Sequence, residues 1–143
     1  MYIQTFDANN NVLSYISEYW SGTGWVLGSK NLYTYDSTNK KTSMIAQSWS
    51  GTTWTPVSKD VYSYVGSNLV EDQFQVWNSL TGTFSTASQK NYYYDPVTGK
   101  KTNQTNINIV SGSPVNVSEY NYGYTTAGQL QTCLLYTSPS PRD

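Results

Sequence analysis

The sequence predicts an all-β protein, an antiparallel up-and-down meander of two-strand repeats of about 29–30 residues each, arranged as a curled single sheet or open shell. Three observations predict it. First, one unit is written twice: Trp20-Ser-Gly-Thr-Gly-Trp25 followed by Lys30, Tyr33 and Tyr35, then Trp49-Ser-Gly-Thr-Thr-Trp54 followed by Lys59, Tyr62 and Tyr64. Residues 6–34 laid over 35–63 give 12 identities without a gap, and self-similarity at such a period marks a repeat architecture. Second, the composition suits strands: 14 Tyr and 5 Trp stand among many Ser, Thr and Asn, while the best helix formers are scarce. Third, the apolar segments show no helical period and are separated only by short turns.

The elements follow in order. Residues 2–6 read as the end of a strand and Asp7–Asn11 as a turn, because Asp and Asn bond their own backbone and tolerate left-handed conformations. Val12 to Ser21 and Trp25 to Tyr35 form a hairpin across Gly22. The second copy has its turn at Asp36–Asn39, strands Lys41 to Ser50 and Trp54 to Val65, and closes at Gly66-Ser-Asn68. A third, degenerate copy runs Leu69 to Asn78 and Thr83 to Tyr94, with Trp77 and Phe84 in place of the Trp pair. In a fourth, Lys100 to Val110 and Val115 to Thr125 flank a Ser111–Pro114 turn, and Ile109 and Val115 replace Trp. The repeats therefore lie near 6–34, 35–63, 64–93 and 94–123, with a partial copy at 124–132. Short turns between consecutive strands force antiparallel neighbours. On simple alternation, Trp25 and Tyr33 share one face, as do Trp54 and Tyr62, and a Tyr/Trp face lines the inner side of the sheet.

Residues 1–132 are read as one array. The stretch Cys133 to Asp143, reversed into codons, resembles a transposase adapter of sequencing libraries, so 133–143 is expected to be adapter read-through and not native protein. Stepping back one period from Lys30 lands on Met1, so the chain is expected to begin inside a repeat. On this reading the only cysteine, Cys133, carries no information about redox compartment.

The formal charge is −1, only 12% of residues are charged, and no basic cluster occurs, which argues against a nucleic-acid partner. No run of apolar residues is long enough for a membrane helix. An outer-membrane barrel would need an uninterrupted apolar outward face, and Lys30, Lys59 and many Ser and Thr interrupt both faces, so no membrane insertion is expected.

The phrases Tyr33-Thr-Tyr-Asp36-Ser-Thr-Asn39, Tyr92-Tyr-Tyr-Asp-Pro-Val-Thr-Gly99 and Phe6-Asp7-Ala-Asn-Asn-Asn11 resemble the Y-x-Y-D turn of YD (Rhs-type) repeats. With the Trp hairpin they look like the tandem repeats of Bacteroidetes surface and secreted proteins, many of which end in a type IX secretion sorting domain. The sequence departs from that pattern at Asn10 and Asn39, which stand where Gly is usual. The resemblance implies export to the cell surface or exterior and a β-sheet scaffold, and implies no activity. Its alternative is a shell segment of an Rhs-like toxin enclosing a cargo domain.

No enzyme is expected. The chain has no His, so neither a Ser-His-Asp arrangement nor a His/Cys zinc set can form. Glu71 and Asp72 are adjacent on a strand and point to opposite faces. Glu18 and Glu119 lie in distant repeats and cannot converge as glycosidase carboxylates must. Asp7, Asp36 and Asp95 recur at one repeat position and are read as turn formers; Asp7-Ala-Asn9-Asn-Asn11 opens like a calcium loop but lacks its Gly and bidentate Glu. No metal or cofactor is assigned. The candidate ligand-binding residues are Trp20, Trp25, Trp49, Trp54, Tyr33, Tyr35, Tyr62 and Tyr64. The Trp pairs can lock their hairpins by cross-strand packing alone. Alternatively, Trp and Tyr rows offer flat platforms for sugar rings, with glycans or cell-surface molecules as partners.

Overall fold

The computed structural model describes residues 1–137, which form ten strands: β1 (Tyr2–Phe6), β2 (Val12–Trp20), β3 (Trp25–Tyr35), β4 (Lys41–Trp49), β5 (Trp54–Val65), β6 (Asn68–Asn78), β7 (Thr83–Tyr94), β8 (Lys101–Val110), β9 (Ser113–Tyr124) and β10 (Leu130–Thr137). They make one antiparallel meander sheet in the order β1 to β10, and the sheet is open. Close contacts divide the chain into two compact units, Met1–Tyr62 with Phe74–Ser85, and Ser63–Gln73 with Thr86 onward. Residues 133–137, expected to be read-through, belong to β10, where Cys133 to Thr137 pair with Tyr122 to Ser118 of β9; the rest of that segment lies outside the described residues.

Two kinds of turn close the hairpins. In the repeat turns, an Asp carboxylate accepts from the backbone ahead of it. Asp7 Oδ1 takes the N–H groups of Asn9 and Asn11 at 2.9 and 2.8 Å, and Asp36 Oδ1 takes those of Thr38 and Lys40 at 2.7 and 3.0 Å. Asp95 Oδ1 takes those of Val97 and Thr98 at 3.1 and 2.6 Å. These bonds favour the ionised form, so all three carboxyls sit below the usual aspartate range. For Asp7 the largest cause is the Asn11 side chain, for Asp36 the Lys40 amide and for Asp95 the Thr98 amide. Each turn ends in a left-handed residue, Asn10 at φ 65°, Asn39 at φ 62° and Gly99 at φ 68°. Asn is the residue other than Gly that visits this region at least cost, which explains how Asn10 and Asn39 hold the Gly position.

The fourth-copy hairpin differs from expectation. Its turn is only Ser111-Gly112, both with positive φ (51° and 81°), as a two-residue type I′ turn requires. Strand β9 therefore starts at Ser113, and Ile109 faces Pro114 while Val115 faces Asn108. Similarly, Asn68 is the first residue of β6 and not part of the preceding turn.

No apolar side chain is buried among the described residues; only Ser14 and Ser43, equivalent by repeat, are, each 9% exposed. Their hydroxyls bond Thr5 and Thr34 across strands, both at 2.7 Å. Cohesion thus comes from the backbone ladder, hydroxyl pairs and half-exposed aromatic packing instead of a sandwich core. The last tyrosine of three returning strands ties its hairpin: Tyr35 Oη donates to the Val12 carbonyl at 3.0 Å, Tyr94 Oη to Leu69 at 2.9 Å and Tyr124 Oη to Lys101 at 2.8 Å.

Candidate functional site on the tryptophan face

The register separates the candidate residues onto two faces. Tyr15 pairs with Asn31, Tyr33 with Met44, and Met44 with Asp60, so Tyr15, Tyr33 and, by alternation, Tyr62 share one face. Lys30 pairs with Ile16 and Gln47, and Trp20 with Trp25 and Trp49 with Trp54 stand on the Lys30 side. The cause is a bulge in each returning strand. Between Ser17 and Glu18 the partner register skips Gly28, and between Ala46 and Gln47 it skips Val57. The extra residue shifts alternation by one, and every side chain toward the hairpin tip changes face. The expected common Tyr/Trp face is therefore corrected: the four Trp occupy one face, and Tyr33 and Tyr62 the other.

On the tyrosine face the rings hold lysines. Lys41 Nζ lies 5.7 Å from the Tyr33 ring centre and 4.9 Å from that of Tyr62. In the second unit Lys101 Nζ repeats this between Tyr92 and Tyr122, at 5.6 and 4.4 Å. A bulge at the start of each outgoing strand turns the lysine onto the ring side: Tyr35 pairs with Lys41 while Thr34 pairs with Ser43. Burial is the largest influence raising the Tyr35 phenol above its ordinary range, followed by the charges of Tyr33 and Asp7. These tyrosines are engaged in cation–π contacts and, for Tyr35, a backbone hydrogen bond.

The tryptophan face is different. Trp20 and Trp25 meet edge to face with ring centres 5.7 Å apart, and both remain more than half exposed (56% and 54%). Trp49 and Trp54 meet at 5.1 Å. Trp77 and Phe84 at the third hairpin meet at 4.9 Å, so the degenerate copy keeps the aromatic pair. The loops between are polar and tight. Ser21 Oγ donates to the Gly24 carbonyl at 2.9 Å and accepts its N–H at 3.2 Å, and Ser50 does the same with Thr53 at 3.0 and 3.2 Å.

Beside the pairs stand two residues that sequence reasoning missed as a set. Glu18 and Gln47 occupy the same repeat slot, two before the first Trp of each pair and on its face. Glu18 Oε2 and Gln47 Oε1 are shielded from solvent and have no hydrogen-bond partner. A buried acceptor without a donor costs stability, and this defect repeats in one slot beside two tryptophan pairs, the first exposed and the second half-buried. Lys30 Nζ stands 5.7 Å from the Trp54 ring centre, bridging the two copies. The shared slot is visible in the 29-residue alignment, but Glu against Gln is not an identity and carries no repeat signal of its own.

No protein-family profile matches the chain, and no curated protein does. Among solved structures, it is similar to a protein of unknown function from Bacteroides fragilis, 16% identical with TM-score 0.65 over 97% of this chain and 91% of that one. It is also similar to two DUF3836 family proteins. The one from Bacteroides vulgatus is 24% identical with TM-score 0.54 over 60% of this chain and 88% of that one. The one from Parabacteroides distasonis is 17% identical with TM-score 0.51 over 59% and 80%. At these identities the likeness is one of fold.

Proposed function

We propose that the chain is a segment of an extracellular, non-catalytic β-repeat scaffold or adhesin of the YD-like kind, and that its tryptophan face binds carbohydrate. The observation that carries this reading is the recurrence of a cross-strand tryptophan pair on one face, more than half exposed in the first copy and half-buried in the second, with a Glu or Gln in the same repeat slot beside it, Glu18 and then Gln47. Indole faces offer apolar stacking to the C–H side of a pyranose, and the Ser, Thr and Lys heads around them offer hydrogen bonds to its hydroxyls. The repeat-position carboxylates support the absence of chemistry, since Asp7, Asp36 and Asp95 are spent on their own turns.

A glycan array probed with the whole chain, Trp25→Ala and Trp54→Ala tests it, with thermal melting of each variant alongside. The expected result is binding by the parent that falls in both variants. A parent that binds no glycan, or variants that melt earlier yet bind equally, would reduce the tryptophans to hairpin clamps.

A further inference from the structure

The aromatic pairs recur along the hairpin tips of one compact unit: Trp20/Trp25, Trp49/Trp54 and Trp77/Phe84 all belong to it. Their spacing is set by the sheet. Equivalent residues in successive copies are two strands apart, roughly 10 Å across the sheet. Because Lys30 pairs with both Ile16 and Gln47, the second copy is also displaced along the strands by two residues from Ile45, the equivalent of Ile16. That adds roughly 7 Å along the strand direction, for a pair-to-pair step of about 12 Å.

We infer that the site takes an extended, β-linked polysaccharide laid across the strands, advancing by about one disaccharide per hairpin; this rests on the carbohydrate reading above. The step has the length scale of a disaccharide, not of a single sugar or of a whole oligosaccharide. Within each step the two rings, 5 to 6 Å apart and steeply inclined to one another at 70° and 59°, form one aromatic contact point that serves one sugar face. The Glu/Gln slot repeats between the first two pairs, Glu18 and then Gln47. Lys30 fills the interval between the first two pairs and offers a donor where a ring hydroxyl passes from one to the next. A globular end group or a compact branched glycan would use one pair and leave the others idle. The row instead suits a linear chain of repeating chemistry.

The test is a length series. Cello-oligosaccharides and β-1,4-linked N-acetylglucosamine oligomers of two, four and six sugars are titrated calorimetrically against the whole chain, Trp54→Ala and Gln47→Leu. In at least one series the dissociation constant is expected to tighten about tenfold or more from two sugars to six, as linked subsites require. Trp54→Ala and Gln47→Leu break the middle step, so the six-sugar ligand should fall back toward the two-sugar value while two-sugar binding persists at Trp20/Trp25. Gln47→Leu decides the matter should Trp54→Ala melt early. Equal affinity at all lengths overturns the extended-chain inference and leaves carbohydrate binding standing. Absence of binding in both series while the array is positive for compact or branched glycans also overturns it. Absence on the array as well removes both readings.

Discussion

Trp25 and Tyr33 are separated by eight residues of one strand, an even interval, yet they stand on opposite faces of the sheet. Gly28 is the residue that separates them. It is the extra residue of the bulge, and a Cβ there would lie 3.3 Å from the Ser17 carbonyl oxygen and 3.4 Å from Tyr19 Cδ1. The second copy solves the same bulge differently, with Val57 in the slot and Ser48 where Tyr19 stands. Gly28→Val should therefore cost about 1 kcal/mol in urea unfolding. Combined with Tyr19→Ser, the loss should shrink, a coupling that a double-mutant cycle measures; additive losses would mean that Tyr19 is not the obstacle.

The tyrosine ties are expected to be stability devices. Tyr35→Phe removes the donor to the Val12 carbonyl and should lower unfolding free energy by about 1 kcal/mol. Tyr124→Phe should behave alike through Lys101. Carbohydrate binding should be untouched in both, and a loss of binding without a loss of stability would assign Tyr35 to the ligand.

The turn carboxylates predict an acid limb. Asp7, Asp36 and Asp95 have folded pKa values below their ordinary one, so their contribution is fully present above the ordinary aspartate pKa. It is lost as pH falls through the depressed folded value. Melting temperature should drop between about pH 5 and pH 2, and the drop should be shallower in the triple Asp→Asn variant at these positions. An unchanged slope in the variant would show that other carboxylates govern acid stability.

At Asn10 the backbone alone is at issue, since φ is 65°. Asn10→Gly should leave stability equal or higher, whereas Asn10→Ala should lose about 1 kcal/mol. The comparison is made by chemical denaturation at neutral pH, and an Ala variant as stable as the parent would deny the strain.

The strands were legible because each is bounded by a turn residue with its own physics: Asp36 and Asn39, Gly66, Gly82, Gly99. β3, β5 and β7 have the bounds read from the sequence. The faces were not legible. A bulge leaves no common residue behind, being Gly28 in one copy and Val57 in the next, and one unmarked insertion inverts all that follows. Counting by twos from Tyr33 thus put Trp25 on the wrong side. The acceptor slot was hidden for another reason: what distinguishes Glu18 and Gln47 is a missing partner, which only three dimensions reveal.

On the proposed function, ligand binding belongs to the tryptophan face alone. Acrylamide quenching of tryptophan emission, with and without the glycan selected on the array, tests it most directly in the parent, Tyr33→Ala and Tyr62→Ala. The glycan should protect the tryptophans in all three, because Tyr33 and Tyr62 lie on the opposite face, holding Lys41. If protection disappears with either tyrosine while the melting temperature holds, or if the bound glycan never shields the indoles, the two-face account is contradicted.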